Sequence, residues 1–248
     1  MLLTLAPAGC FAAVAHDRIV GTSIGINYRT FGWIAMMLVD PEYRGHGLGA
    51  QLLQAAMNAV PSNLPVRLDA TPLGRPLYER HGFVEETSLT RLVAHAPDGF
   101  PRSVETIERA TASDVPEIIN IDGSVFGADR TAVFDWSVTD ARYARIGRDG
   151  DRVLGYCFGR GGRVFDHIGP VIAREEDQAR ALVSSVIADV PGRPVAIDAY
   201  DRQERFCDWL RSIGFRAERP LFRMARGAMP SRRSTALLEF AIFGPDFG

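Results

Sequence analysis

Between residues 10 and 39 apolar and polar positions alternate with a period of two, and the polar break at Asp17-Arg18 falls between two such runs. That alternation predicts an antiparallel meander. The period then changes. From Gly47 onward Leu48, Leu52, Ala55, Ala56 and Ala59 recur at helical spacing, which predicts an amphipathic helix directly after the last strand of the meander. A strand over Pro65 to Ala70, a short helix over Arg75 to His81 and a strand from Phe83 complete the first block. Pro97, Gly99 and Pro101 in a polar stretch predict a linker.

After the linker the order repeats. Residues 104–127 read as a strand and then a helix whose start is marked by Thr111 and Ser113-Asp114. A second meander follows, with turns at Asp149-Gly150 and at Gly159 to Gly162. A second amphipathic helix places Ala181, Leu182, Val186 and Ile187 on one face. A closing strand–helix–strand has Trp209-Leu210 and Gly214-Phe215 where the first block has Tyr78 and Gly82-Phe83. The fold class expected is therefore α+β, with two tandem domains, each a mixed, mostly antiparallel sheet flanked by helices. The expected division is residues 1–95, a linker at 96–103, a second domain at 104–227 and a tail at 228–248. In that tail Leu237, Leu238, Phe240, Ile242 and Phe243 suggest a docking strand or helix.

Composition narrows the classes. The chain has 248 residues, 46% of them hydrophobic, with a formal net charge of -2 and a sequence pI near 6.2, which argues against nucleic acid as a partner. The apolar run from Trp33 to Val39 is too short to span a bilayer, and no signal peptide opens the sequence, so a cytoplasmic protein is expected. Cys10, Cys157 and Cys207 are widely spaced and fit no metal-ligand pattern. They read as reduced structural thiols, and no metal is expected. The chain contains no lysine, so no lysine can serve catalysis.

The candidate chemistry lies where the first meander meets its helix. Gly45, Gly47 and Gly49 leave backbone N–H groups uncovered at a helix N-terminus, and Arg44 adds a planar positive fork. Unpaired donors and the positive end of the helix dipole suit an anion. The spacing Arg44-x-x-Gly47-x-Gly49 is not that of a dinucleotide fingerprint, and a P-loop needs a lysine. LVDPEYRGHGLGAQLL, from Leu38 to Leu53, resembles the coenzyme A motif of the GCN5-related N-acetyltransferases (GNAT). DATPLGRPLYERHGFVEE, from Asp69 to Glu86, resembles that family's closing strand–helix–strand. The resemblance is clearest over residues 10–93.

That resemblance implies an acetyl-CoA-dependent N-acetyltransferase acting by direct attack of a primary amine. The amine would belong to a small molecule or a peptide, with no membrane or nucleic acid involved and a homodimer left open. Contacts to the coenzyme are expected from Met37, Leu38 and Val39 on the strand, from Arg44, Gly45, His46, Gly47, Leu48, Gly49 and Ala50 in the turn, and from Thr71 and Gly74. Tyr78 falls on the family's tyrosine that faces the departing sulfur and would be the general acid; a packing aromatic is the competing reading. A transferase of another acyl group and a non-catalytic acyl-CoA sensor are the alternatives.

No general base is assigned: Glu42, Asp69, His46 and His81 each have a plain structural use, and Asp166 and His167, as strand neighbours, point to opposite faces. In the second domain Glu175, Glu176 and Asp177 stand where the first has its glycines. They would repel a pyrophosphate, so only the first domain is expected to bind coenzyme A. The first domain has its own gap, because too little chain precedes Cys10 for the family's usual leading strand and helices. Either the start lies upstream of Met1, or the second domain or the tail helps wall the acceptor side.

Overall fold

The computed structural model describes residues 1–95, 107–140, 143–150, 152–189, 192–229 and 237–248; the linker expected over 96–103 lies outside them. In chain order the elements are α1 (Leu2–Leu5), β1 (Cys10–Ala15), β2 (Arg18–Asn27), β3 (Gly32–Val39), α2 (Leu48–Asn58), β4 (Val66–Ala70), α3 (Arg75–Arg80) and β5 (Val84–Ala94). They continue with β6 (Ile107–Arg109), α4 (Val115–Phe126), α5 (Thr131–Asp140), β7 (Arg145–Asp149), β8 (Arg152–Arg160), β9 (Asp166–Ala173), α6 (Glu176–Ile187), β10 (Val195–Tyr200), α7 (Glu204–Ser212), β11 (Arg216–Arg226) and β12 (Leu238–Ala241). The succession from β1 to β5 recurs from β7 to β11, as the repeated pattern predicts. Before it, the second copy has β6, α4 and α5, whereas the first has only α1.

The chain forms two compact units, each assembled from segments that are not contiguous in sequence. One consists of Met1–Glu86, Phe222–Ser231 and Pro245–Gly248; the other consists of Thr87–Leu221 and Arg232–Gly244. The physical reason lies in the strand edges. A strand edge left unpaired exposes a row of backbone donors and acceptors. In the first unit β4 meets β3 on one side in parallel. On its other side it pairs antiparallel with the C-terminal half of β11, from Phe222 opposite Ala70 to Arg226 opposite Val66. A strand more than 150 residues downstream in sequence therefore completes the first sheet.

The strand alternation sorts the first unit's side chains onto two faces. Val66, Leu68 and Ala70 of β4 pack with Ile34, Met224 and with Leu53, Ala56 and Met57 of α2. The opposite face carries a buried polar pair, in which Arg223 Nε and Nη2 each donate to an Asp69 oxygen at 2.9 Å, with both side chains almost fully buried. The same guanidinium stacks 4.9 Å above the Trp33 ring. Trp33 Nε1 donates to the Pro245 carbonyl at 3.0 Å, and the Tyr28 hydroxyl to that of Phe247 at 3.0 Å. The end of the chain therefore covers this face.

The second unit has strand order β5-β10-β12-β9-β8-β7-β6. Its core joins Leu182, Val183 and Val186 of α6 and Phe206 and Leu210 of α7 to β9, β10 and Phe240 of β12. Asp122 of α4 forms a buried pair with Arg130 at 2.6 Å and accepts the Tyr156 hydroxyl at 2.6 Å. The stretch of the expected tail from Leu237 is thus no appendage. Its apolar alternation supplies β12, inside the second sheet.

Removing one partner of a buried ion pair leaves an uncompensated charge, at a typical cost of about 3–5 kcal/mol. Arg223→Met is expected to destabilise the first unit by about that amount in urea unfolding, and a change within error would refute the role of the pair. A fragment of residues 1–95 lacks both Phe222–Arg226 and Pro245–Gly248. It is expected to lose its near-ultraviolet circular dichroism, and a native-like spectrum would show that these segments are dispensable.

Candidate functional site

In the first unit, β2 and β3 pair antiparallel with Thr22 opposite Leu38 and Ile24 opposite Ala35, so Met36 and Met37 together face Ser23. Two residues against one is a β-bulge. Met36 takes φ +49°, a left-handed conformation that costs a side-chain-bearing residue about 1–2 kcal/mol. The Thr22 hydroxyl donates to the Met36 carbonyl at 2.7 Å. Strand β3 pairs with β4 only from Gly32/Val66 to Ile34/Leu68, and beyond that point the two strands part. The Asp40 N–H donates to the Val20 carbonyl at 2.9 Å. Alternation along extended backbone then turns the N–H groups of Val39 and Met37 the other way, into the fork between β3 and β4. At the same level the Leu38 side chain is 57% exposed.

The chain leaves β3 through a short 3-10 turn over Pro41–Tyr43, where Asp40 accepts the Glu42 N–H at 3.1 Å. Gly45 and Gly47 then take φ +81° and +80°, values that glycine alone adopts without penalty. Gly47 is the N-cap of α2, no side chain caps the helix, and the first bond onto the turn is from Gln51 N–H to the Gly47 carbonyl at 3.1 Å. The N–H groups of Leu48, Gly49 and Ala50 therefore meet no acceptor among the described residues. Arg44 Nε donates to the Val39 carbonyl at 3.1 Å, which ties the turn to the end of β3 and leaves its terminal nitrogens for another partner. His46 is exposed within this turn.

Helix α3 approaches the same place. A Cβ at Gly49 would sit 3.4 Å from Leu77 Cδ2 and 3.9 Å from Val39 Cγ2, so the first turn of α2, the end of β3 and α3 converge there. Tyr78 is 6% exposed and packs edge-on against Phe83. A Cβ at Gly74 would lie 3.1 Å from the Tyr78 ring, and the Thr71 hydroxyl accepts the Gly74 N–H at 3.3 Å, so Thr71 and Gly74 shape the wall beside the phenol. The Tyr78 hydroxyl makes no hydrogen bond among the described residues. Burial pushes its pKa up to about 12, so the phenol keeps its proton at neutral pH and can donate it.

Several candidate bases are committed elsewhere. Asp69 is held by Arg223, an interaction that no spacing in the sequence signals. The His81 ring bonds the Leu77 carbonyl at 2.8 Å. Asp166 and His167 do point apart. Asp166 accepts from Tyr143 at 3.0 Å and from Arg193 at 2.8 Å, whereas His167 Nε2 lies 2.9 Å from Asp198, which Arg91 clamps through two 2.7 Å bonds. Burial and the adjacent Arg160 hold His167 below the usual imidazole range. Burial raises Asp198, but the bonds from Arg91 and His167 outweigh it and hold the carboxyl below the usual carboxylate range.

The equivalent place in the second unit is built differently. Glu175 is the N-cap of α6, and Glu176 pairs with Arg180 and Arg205. Strands β9 and β10 pair in parallel from Asp166/Val195 to Ile168/Ile197. Beyond that, β12 lies between them, with Ala241 opposite both Ala199 and Val171. Cys157 and Cys207 are buried, and burial pushes the Cys207 thiol up to about 11, far from an activated thiolate. Among the described residues no group of three His, Cys, Asp or Glu could hold a metal, and no helix is long and apolar enough to cross a membrane.

Comparison with known proteins agrees with this geometry. Residues 6–85 match one family model described as Acetyltransferase (GNAT) domain, and residues 118–238 match a second with the same description. The chain is 29% identical over 231 residues to holothin acyltransferase of Pseudoalteromonas sp. (strain SANK 73390), covering 90% of this chain and 76% of that protein. It is 27% identical over 184 residues to the uncharacterized N-acetyltransferase YitH of Bacillus subtilis (strain 168), covering 73% of this chain and 65% of that one. A Pyrococcus horikoshii protein of known crystal structure shares the fold with a TM-score of 0.80 at 22% identity, over 99% of this chain and 82% of that one. With both repeats matched, the chain belongs to the GCN5-related N-acetyltransferase superfamily as a tandem pair of GNAT domains, and it is an acyltransferase.

Proposed function

We propose that the first unit binds acetyl-CoA and transfers its acetyl group to a primary amine by direct attack, with Tyr78 as general acid. The observation that carries this reading is the fork between β3 and β4, where strand amides and an uncapped helix start meet, with α3 and its unpaired Tyr78 phenol packed beside the first turn of α2. A coenzyme pyrophosphate suits the N–H groups of Leu48, Gly49 and Ala50 and the free nitrogens of Arg44, by charge and by hydrogen-bond direction. The pantetheine arm is itself an amide chain, and it suits the Val39 N–H beside Leu38, while the Met37 N–H, nearer the point where β3 and β4 part, suits the thioester carbonyl. As the amine attacks, negative charge builds on the thioester oxygen and backbone donors stabilise it. The departing thiolate takes the Tyr78 proton. His46 and Gly45 contribute backbone to the turn, and Thr71 and Gly74 keep the Tyr78 wall in place.

Only one such site per chain is proposed. Glu175, Glu176 and Asp177 put negative charge at the second helix start, and β12 fills the second fork. A second reading, transfer of a different acyl group, is favoured by the name of the holothin acyltransferase, which specifies acyl and not acetyl. The turn residues hold the coenzyme and do not discriminate between the two.

Titration calorimetry with coenzyme A is expected to give one site per chain, and two equivalent sites would contradict the reading. Gly47→Val forces a β-branched residue to φ +80° and should weaken that binding at least ~10-fold, since a lost 1.4 kcal/mol is a factor of ten. Tyr78→Phe should leave coenzyme affinity intact and lower turnover on a panel of amines by ~10²-fold, the lower range for general acids. With its pKa raised to about 12, Tyr78 should contribute no basic limb to the wild-type pH profile below about pH 11. Undiminished turnover in Tyr78→Phe with an unchanged profile would remove the acid role. Acetyl-CoA compared with longer acyl-CoA donors on the same panel separates the two readings.

A further inference from the structure

We infer that Thr22, which lies outside the coenzyme-contacting motifs, is a positioning residue for the acyl group. It does so by holding the β3 bulge that turns the Met37 N–H toward the thioester carbonyl. The inference rests on the acyl-CoA reading above. Its structural basis is the 2.7 Å bond from the Thr22 hydroxyl to the Met36 carbonyl, made at the one residue of β3 with positive φ.

The bulge needs such a bond. Met36 has no glycine-like freedom, and an ordinary extended conformation would suit its side chain better. Relaxing it would remove the extra residue from the β2–β3 register, and a one-residue slip reverses the direction of every following side chain and amide. Met37, Leu38 and Val39 would exchange roles: the N–H groups that enter the fork would turn to β2, and that of Leu38 would replace them. In the regular part of the ladder backbone groups satisfy one another. At the bulge the Met36 carbonyl is satisfied by a side chain, so the amide directions at the fork depend on a hydroxyl from the neighbouring strand. The register around it is fixed on both sides, by Ile24 opposite Ala35 and by Gly21 opposite Val39. The following residue, Ser23, anchors to the Leu52 carbonyl of α2 at 2.9 Å, which keeps β2 from sliding with the bulge.

A carbonyl that accepts a hydrogen bond from Met37 N–H is polarised, and its stretching frequency falls. The test uses acetyl-CoA carrying ¹³C at the acetyl carbonyl, bound to the full chain and read by infrared difference spectroscopy. No acceptor is required. In wild type the band is expected at lower frequency than in free acetyl-CoA. Thr22→Val replaces the hydroxyl with a methyl of similar size and should return the band toward its free position. Thr22→Ser keeps the hydroxyl and should keep the shift. Met36→Gly in the Thr22→Val background makes positive φ permissible again and should restore it. Unacylated coenzyme A should still bind every variant, because the cradle at the start of α2 does not depend on the bulge, and the displaced Val39 amide should weaken Thr22→Val by less than ~10-fold.

A Thr22→Val band that stays shifted overturns the inference, as does a Thr22→Ser band that does not. A loss of coenzyme A affinity greater than ~10-fold in Thr22→Val would assign the hydroxyl to the fold and overturn it as well. A wild-type chain that does not bind acetyl-CoA fails in a different place: it overturns the coenzyme reading itself, and the Thr22 role with it.

Discussion

Two parallel strands that hydrogen-bond over three residue pairs and then part create backbone donors and acceptors that something must satisfy. Both units contain this fork, one between β3 and β4 and the other between β9 and β10. In the second unit the protein supplies the partner from its own chain, since β12 pairs with both arms. In the first unit no described strand enters. The Met37 and Val39 amides face the opening, and the bulge at Met36, the turn at Gly45 and Gly47 and the uncapped start of α2 all lie along it. One geometric device therefore has two outcomes: in one unit it is sheet, and in the other it is a candidate site.

The first unit depends equally on segments remote in sequence. One face of its sheet carries Trp33 and Asp69, and both are covered by segments from the other end of the sequence. Arg223 neutralises Asp69 and stacks on Trp33, and Pro245–Gly248 cover what remains. A buried ion pair contributes little net stability compared with an apolar pair of the same shape, but it is costly to break. Arg223 stands directly opposite Asp69 in the β4–β11 register, and a slip of one residue would bury two unpaired charges.

Much of this was readable from residues. The repeated strand–helix order followed from a period that switches from two to 3.6 at the same place in each half. The candidate anion turn followed from glycines at a helix start, and the different build of the second unit's helix start from Glu175, Glu176 and Asp177. Local chemistry governs those features, and a sequence states local chemistry directly. Other features could not be read. Thr22 and Met36 look like ordinary strand residues, because a bulge is a property of how two strands align. Asp69 gave no sign of its partner, because Arg223 is more than 150 residues away. Leu238–Ala241 announced an apolar segment without saying which strands it would join.

The sequence by itself determined the element order, the tandem architecture, the candidate coenzyme turn and the phenol expected to serve it, since each depends on neighbours within a few residues. Only the tertiary structure decided which amides face the fork, which fork is filled, and which charges are committed to the fold. Those outcomes depend on strand register and on pairing between distant segments, and register is fixed by the packing of the whole sheet rather than by any one stretch of chain.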